Sequence, residues 1–413
     1  MGFHRRFLPV WILLFLALPG LARSADLRFQ SSTQYLWYTD PFRDDDQSDL
    51  VQYVKIGAAK LGTEGRFSAF GYGRASHQFG GTDDPALGDD DGVIGRLYFL
   101  YVNYDLPQDR GEIRLGRQYV AVGAGARTID GIRAQVRNLG PATVSVFAGY
   151  DVRFARTTDR TQSGDYLLGA SAGGSFLAGN NLELSYLTRY DQDDQVREMA
   201  GLHVDQSMFG KAKGTLDWRY DLLHRSTAEF LAGARYFALP GMVTLTGEYY
   251  FSYPTFDADT IYTVFAVTSY WEALGRADWI LSDEYTLFAS YTRGDYDGPT
   301  ADTVALGVRA RPKSAAGLGV NASLDYRSGY PGDLTGFQLS ADYAYGKALL
   351  AAGIAYDVFQ RDSMVDDFSA KKYWVACSCN FRENLTANLR VEDAETRGAA
   401  DAFQGRASVD IRF

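Results

Sequence analysis

The sequence predicts an all-β fold, a single antiparallel up-and-down transmembrane β-barrel of about 22 strands (merging two weak strands gives about 20) with no plug domain. Apolar and polar residues alternate through segments of about ten residues or more, the length of a tilted crossing of the hydrocarbon layer. The 28 Tyr and 43 Gly are spread evenly along the 413 residues, with no linker. Although 46% of the residues are hydrophobic, the mean hydropathy is −0.22, because polar residues are interleaved throughout.

The N-terminus has the pattern of a secretory signal peptide. A basic start precedes an apolar run (residues 7–18) and a zone of small residues. The run is too short for a retained membrane anchor, which needs about 20 apolar residues. We therefore expect a signal peptide in residues 1–24, cleaved after Ala22 or Ser24, and a barrel in residues 25–413.

The segment from Ala142 to Phe154 shows the alternation most clearly. Its even positions are valine, alanine or aromatic residues, and its odd positions are Thr143, Ser145, Phe147, Gly149, Asp151 and Arg153. The chain ends in the same way, with apolar residues at odd positions from Phe403 to Phe413. A secreted β-sandwich would alternate too, but strand length and aromatic residues near the strand ends favour a membrane barrel.

The connections between the predicted strands alternate in length. Every second one is a tight turn, and the intervening ones are mostly longer and acidic. The tight turns lie at 62–65, 107–110, 139–141, 178–180, 239–241, 282–284, 346–347 and 382–384. Short periplasmic turns and longer outer loops are expected of an outer-membrane barrel, with an even strand count and both termini in the periplasm.

The lumen of such a barrel poses a problem, because a barrel of about 22 strands normally has a plugged lumen. The first predicted strand begins almost at the cleavage site, so we expect no N-terminal plug. The longest predicted outer loop, residues 80–92, is too short to fold across so wide a lumen. Either some strands are miscounted, or another protein fills the barrel.

The signal peptide, the tight-turn hairpins and the terminal Phe413 together resemble bacterial outer-membrane porins over the whole mature chain. That resemblance implies that Phe413 is the assembly signal read by the barrel assembly machinery. Segments 111–118 and 333–337 resemble barrels of metal-reducing bacteria, some of which are sheaths in porin–cytochrome conduits. The better-known sheath family has a Cys-x-x-Cys near its mature N-terminus, which this sequence lacks.

Three functions remain open. The resemblance implies a wide porin-like pore in the outer membrane of a Gram-negative cell, surrounded by lipid and lipopolysaccharide. Alternatively, it implies a sheath around a periplasmic multihaem cytochrome that carries electrons across the membrane. The chain has no Cys-x-x-Cys-His, so we expect no cofactor of its own, and any haem would belong to the partner. The third alternative is a barrel enzyme, but no nucleophile, metal pair or phosphate loop accompanies His77, His203 and His224.

The polar faces of the predicted strands carry charges of both signs at close spacing. A mixed lining gives weak charge selectivity in an open pore, or a polar wall against a partner. We predict that the lumen is lined by Asp151, Arg153, Glu183, Arg189, Asp217, Arg219, Asp325, Arg327, Arg390, Glu392, Arg406 and Asp410. Arg117 breaks the local alternation and would face lipid, unless a bulge re-aims it or it lies at the interface.

The remaining candidates are acidic loops and two cysteines. Asp89, Asp90 and Asp91 are a weak candidate Ca²⁺ or Mg²⁺ site, because such a charge run is more commonly just solvated. The net charge of −10 argues against nucleic-acid binding. Cys377 and Cys379 share the apolar face of one predicted strand, so we expect lipid-facing thiols, with a strained disulfide as the alternative.

Overall fold

The structure is a computed structural model of the chain. It describes residues 26–40, 45–80, 93–154, 159–160, 164–255, 268–360, 368–396 and 402–413. The predicted signal peptide and the acidic run Asp89 to Asp91 lie outside these residues.

The described chain forms 24 strands, of which 22 belong to one sheet. The strands are β1 (Asp26–Asp40), β2 (Asp45–Leu61), β3 (Phe67–Gly80), β4 (Ile94–Asp105), β5 (Gly111–Val122), β6 (Gly125–Leu139), β7 (Ala142–Asp151), β8 (Arg153–Phe154), β9 (Asp159–Arg160), β10 (Tyr166–Gly174), β11 (Asn180–Asp191), β12 (Asp194–Met208), β13 (Ala212–Asp221), β14 (Ser226–Leu239), β15 (Val243–Ser252), β16 (Tyr270–Ile280), β17 (Tyr285–Asp295), β18 (Thr300–Ala310), β19 (Leu318–Gly329), β20 (Asp333–Tyr345), β21 (Ala348–Gln360), β22 (Phe368–Arg382), β23 (Leu385–Thr396) and β24 (Ala402–Arg412).

The sheet closes into a barrel, which confirms the predicted fold. Each barrel strand pairs antiparallel with the next one along the chain, and β1 pairs with β24 from Gln30↔Arg412 to Tyr38↔Gln404. Backbone hydrogen bonds between Phe29 and Phe413 complete the seam at 2.9 and 2.8 Å. The short strands β8 and β9 pair with each other beside the barrel sheet, and β7 pairs with β10. The predicted count of 22 strands is therefore confirmed.

The two ends of the barrel differ. One end holds the start of β1, the finish of β24 and the turns predicted at positions such as 62–65, 139–141 and 346–347. We call this the turn end. The other, called the loop end, holds the longer connections, but five of its described connections, at 123–124, 192–193, 222–225, 296–299 and 330–332, are as short as those of the turn end.

The strand register divides the side chains into two faces. The outward face is apolar, and Leu115, Leu324 and Val375 in the middle of their strands remain 63%, 56% and 58% exposed. Aromatic residues flank this apolar band, for example Tyr345 near the turn end and Tyr326 near the loop end. An apolar band between two aromatic girdles is the surface that a bilayer requires of a barrel, so the fold is a transmembrane barrel.

In the described chain, no helix is both long and apolar enough to cross a membrane.

The two thiols lie on the outward face of β22, in phase with the exposed Tyr373, Val375 and Phe381. Both are free, so Cys377 and Cys379 form no disulfide with each other. This placement agrees with the expectation of lipid-facing thiols.

Candidate functional site

The lumen contains a segment of the barrel's own strands, which we call the inward hairpin (residues 118–128). The ladder of β5 with β4 runs only from Asp105↔Glu112 to Leu100↔Arg117, and the ladder of β6 with β7 begins at Ile129↔Asp151. Between these points, β5 and β6 pair with each other up to Val122↔Gly125. In the described ladders, the hairpin has therefore left the wall.

The tip of the inward hairpin is hydrogen-bonded to the inner wall. The backbone N–H of Gly123 donates to Glu183 Oε1 at 2.9 Å, and that of Ala124 donates to Ser185 Oγ at 2.8 Å. Arg219 Nε donates to the Gly123 carbonyl at 3.2 Å. The register places the side chains of all three wall residues on the lumen face of β11 and β13, so the tip lies inside the barrel.

A glycine in the wall makes room for the tip. A Cβ on Gly201 of β12 would lie 2.2 Å from both Ala124 N and Gly123 C. Backbone atoms cannot yield to such a contact as the end of a flexible side chain can. The close approach of the tip to the wall therefore requires a residue without a side chain at position 201.

Apolar packing holds the hairpin along its length. Val120 of the hairpin and the adjoining Ile129 are 2% and 0% exposed, and they join a cluster with Leu167, Leu187 and Met199, which are 0%, 2% and 0% exposed. Full burial of one large apolar side chain contributes about 1.5–3 kcal/mol. The hairpin is therefore anchored by packing as well as by its polar tip.

The lumen face was predicted to be polar, but it carries apolar residues in the part of the wall that contacts the hairpin. By register, Leu167, Leu187 and Met199 point inward together with polar neighbours such as Arg189 and His203. We call the lumen face of β7, β10, β11 and β12 the covered sector. Its apolar side chains meet the hairpin, whereas on the opposite face of the hairpin Tyr119 is 58% exposed to the lumen.

An ion pair marks the bend where β5 leaves the wall. Arg117 donates to both carboxylate oxygens of Asp130, from Nε and from Nη2, each at 2.8 Å. Its Nη1 also donates to the Leu97 carbonyl of β4 at 3.1 Å. From the sequence, we expected Arg117 to face lipid unless a bulge turned its side chain or it lay at the membrane interface. The structure instead closes it in an ion pair, with 14% of the side chain exposed.

Three of the residues predicted to line the lumen, Asp151, Arg153 and Arg189, belong to an ionic cluster near the loop end of the covered sector. Arg189 Nε lies 3.0 Å from Asp151 Oδ2, and both side chains are 3% exposed. Arg153 lies 3.3 Å from Asp165 and 3.0 Å from Asp191. Each of these charges has an opposite charge beside it, so the cluster offers little net charge to a solute.

Two predicted residues anchor the hairpin, and a third binds a histidine. Glu183 and Arg219 hold the tip, and Arg219 Nη1 also pairs with Glu229 at 2.6 Å. His203 Nδ1 and Asp217 Oδ1 are hydrogen-bonded at 2.6 Å. The second ring nitrogen of His203 lies 3.0 Å from Asp205. The imidazole is therefore occupied on both sides, as expected of a wall residue.

The other predicted residues lie on the lumen face of β19, β23 and β24. Arg390 pairs with Glu392 at 3.0 Å and lies directly opposite Arg406. Asp410 accepts a hydrogen bond from Asn388 Nδ2 at 2.9 Å. Arg327 Nε donates to the Gly332 carbonyl at 3.2 Å. Asp325 lies on the same face of β19, two residues before Arg327. These residues stay apart from the hairpin.

Aromatic rings and arginines share the lumen face of β2, β3 and β4. Tyr72 stacks on Tyr53 and on Tyr98, with ring centroids 6.2 and 4.9 Å apart. The Arg114 guanidinium of β5 lies 4.4 Å from the centre of the Tyr101 ring, a cation–π geometry. The sequence interpretation assigned aromatic residues to the membrane interfaces and missed this internal wall.

No group of three or more His, Cys, Asp or Glu side chains in the described chain is arranged to hold a metal ion. The predicted candidates Asp89, Asp90 and Asp91 fall outside that part of the chain.

Comparison with known proteins finds no matching family model and no matching curated protein. Similar solved structures include OpdO of Pseudomonas aeruginosa, at 12% identity and a TM-score of 0.48, covering 95% of this chain and 98% of that one. A BenF-like porin from Pseudomonas fluorescens Pf-5 is 13% identical with a TM-score of 0.49, covering 94% and 98%. OccAB1 of Acinetobacter baumannii is 10% identical with a TM-score of 0.45, covering 96% and 98%.

Proposed function

We propose that this chain is a porin-like channel of the outer membrane that admits small hydrophilic solutes and is narrowed by its own inward hairpin. The observation that carries the proposal is the docked hairpin. Its tip is hydrogen-bonded to Glu183 and Ser185 on the inner wall, and the rest of the lumen face carries polar and charged side chains. A polar passage with a fixed constriction excludes large solutes by size and passes small ones by diffusion.

The membrane surroundings follow from the outward face. The apolar band requires lipid, and ion pairs such as Arg293–Asp302 at 3.5 Å and Lys371–Glu395 at 3.6 Å lie on this face near the loop end. Such pairs suit the headgroup region of lipopolysaccharide. Export through a cleaved signal peptide and recognition of Phe413 by the barrel assembly machinery belong to the same proposal.

The alternative of a sheath around a multihaem cytochrome receives less support. Its starting point was a lumen that no part of the chain could enter, and that premise is wrong, because the inward hairpin occupies space along the covered sector. The prediction considered only loops, whereas the ends of two wall strands fold inward. Co-purification of a haem-staining protein with the barrel from native membranes would favour the sheath instead.

Conductance of the purified protein tests the proposed channel. Reconstituted alone in a planar bilayer, the chain should give steady single-channel currents in KCl. Gly201→Ala places a Cβ against the backbone of the tip and should release the hairpin, which raises the conductance. Gly233→Ala is the matched control, since its Cβ would meet nothing closer than Glu248 Cγ at 3.6 Å, and should leave the current unchanged. A silent wild-type bilayer contradicts the proposal.

A further inference from the structure

Three tyrosines make a continuous aromatic surface on the lumen face near the loop end of β15 to β17. The ring centroids of Tyr250 and Tyr270 are 5.8 Å apart. Tyr270 stacks on Tyr296 at 5.8 Å with an angle of 18° between the rings. The register puts Tyr250 and Tyr270 on the lumen face, and Tyr296 follows the last residue of β17.

Carboxylates are interleaved with these rings. Glu272 lies directly opposite Tyr250 in the ladder, and its Oε1 accepts a hydrogen bond from the Tyr296 hydroxyl at 2.8 Å. Tyr250 donates to Glu229 Oε1 at 3.2 Å. Burial and the bond to Glu272 raise the pKa of Tyr296 to about 12, so the hydroxyl keeps its proton at neutral pH. The tyrosines thus orient the carboxylates.

The lumen face of this region carries both carboxylates and arginines. Arg235 and Arg276 both lie opposite Thr246, two residues from Glu248, and Arg276 is paired with Asp278 at 2.7 Å. Glu229 is neutralised by Arg219 at 2.6 Å. Glu248 is exposed and lies on the same face of β15 as Tyr250, two residues away. Within the described part of the chain, Glu272 is hydrogen-bonded to the neutral hydroxyl of Tyr296 and forms no ion pair. Arg327 of β19 interacts electrostatically with Tyr296, and its Nε donates a hydrogen bond to the Gly332 carbonyl. Two carboxylates therefore face the lumen beside aromatic rings.

The opposite side of the barrel has the reverse chemistry. Following the sheet order, β16 is eleven strands from β3 in a circle of 22, so the two strands face each other across the lumen. At β3, Tyr72 stacks on Tyr53 and Tyr98. The charged neighbours of these rings are Lys55, opposite Tyr72, the arginines Arg74 and Arg96, opposite each other in the ladder, and the carboxylate of Asp49, which interacts with Arg74. The lumen thus has one aromatic wall with cations and one with carboxylates.

We propose that the tyrosine–glutamate wall, made of Glu248, Tyr250, Tyr270, Glu272 and Tyr296, is a binding subsite for small organic cations. An ammonium or quaternary ammonium group gains from the negative faces of tyrosine rings and from a carboxylate, and its apolar substituents pack on the same rings. A hydrated metal cation gains little from the rings, and an anion is repelled by the carboxylates. The proposal rests on the proposed function in one respect, that solutes enter the lumen.

Calorimetric titration with choline chloride tests the subsite. The probe is added to the purified full-length barrel in detergent, with KCl at matched ionic strength as the reference. We expect saturable binding of choline that Glu272→Gln and Tyr270→Leu each weaken by about tenfold, and that Tyr270→Phe preserves because the ring remains. Tyr72→Leu, on the opposite wall, should leave choline binding unchanged.

Several outcomes overturn the proposal. They are absence of saturable choline binding in the wild type, full retention of affinity in both Glu272→Gln and Tyr270→Leu, or an equal loss in Tyr72→Leu. The shift of electrophoretic mobility on heating reports whether each variant is folded, and the nearly isosteric Glu272→Gln keeps the test valid if Tyr270→Leu does not fold. Conductance in KCl is recorded on the same preparations. A barrel that conducts without binding choline refutes the subsite alone, whereas a barrel that binds choline without conducting refutes the channel alone.

Discussion

The covered sector and the lumen face of β16 to β20 obey different rules of side-chain polarity. In the covered sector, Leu167, Leu187 and Met199 point inward and are almost completely buried. On β16 to β20, which we call the uncovered sector, the inward positions are mainly polar or small, and they include Ser290, Thr292, Thr303, Ser323, Gln338 and Ser340. Both sectors belong to one continuous sheet, so strand geometry does not cause the difference.

The difference arises from what each sector faces. The uncovered sector separates lipid from the water of the lumen, so most of its inward positions are polar or small, with isolated apolar residues such as Leu274 and Phe288. The covered sector separates lipid from another layer of protein, so apolar residues are stable on both of its faces. A cluster of buried apolar residues at inward positions of neighbouring barrel strands therefore indicates a segment packed inside the barrel.

The largest expected effect concerns the ion pair at the bend. Arg117→Leu or Asp130→Leu leaves the other side chain, of which 33% (Asp130) or 14% (Arg117) is exposed, without its charged partner, and breaking a largely buried ion pair costs about 3–5 kcal/mol. We expect the amides of residues 118–128 to exchange with deuterium at least about a hundredfold faster in either single variant. Replacing both residues by leucine removes both charges and should restore most of the protection. Equal exchange in the double and the single variants would contradict this role.

A smaller effect is expected from the apolar anchor. Leu167→Ala should weaken docking of the hairpin by about 2–5 kcal/mol, because it opens a cavity under Val120 and Ile129. Leu274→Ala, at an inward position of β16 in the uncovered sector, is the matched control and should leave the exchange of the hairpin amides unchanged. Hydrogen–deuterium exchange measured by mass spectrometry compares the two. The distinction between the sectors fails if both variants deprotect the hairpin equally.

The smallest effect is expected at the tip. Ser185→Ala removes the acceptor of the Ala124 N–H and leaves this buried donor unpaired, at a cost of about 1–3 kcal/mol. Ser340→Ala, an inward serine of the uncovered sector, should change stability by less than about 0.5 kcal/mol. Protease cleavage near Gly123 measures the difference, and it should accelerate only for Ser185→Ala. Resistance of both variants would show that the packed leucines suffice to hold the tip.

Most of the fold could be predicted because successive residues of a barrel strand face lipid and lumen in turn, so apolar and polar residues alternate along the sequence. The alternation from Ala142 to Phe154 and the turns at 62–65 and 346–347 correctly indicated 22 closed strands. The inward hairpin was missed because its displacement from the wall depends on residues far away in the sequence, in β11 and β13. One signal was present: Phe147 stood among the polar odd positions of β7, and it belongs to the cluster under the hairpin.

The candidate site was predicted only as a set of polar positions. Glu183 and Arg219 were selected for facing the lumen, and the structure adds that they bind the hairpin tip. The sequence alone could not indicate this, since their partner Gly123 carries no side chain and contributes only backbone atoms. Arg117 was misjudged for a related reason: Asp130, which closes the pair, lies opposite it only because of the register of β5 with β6.

The docking of the hairpin tip also sets an order of events during assembly of the barrel. The tip binds residues 60, 61 and 96 positions further along the chain, in β11 and β13, whereas each wall hairpin needs only its neighbour. The aperture cannot narrow before those later strands are in place. A barrel whose assembly stopped between β6 and β11 would therefore contain the hairpin without the wall residues that bind its tip. The lumen becomes narrow only after β11 and β13 have joined the wall.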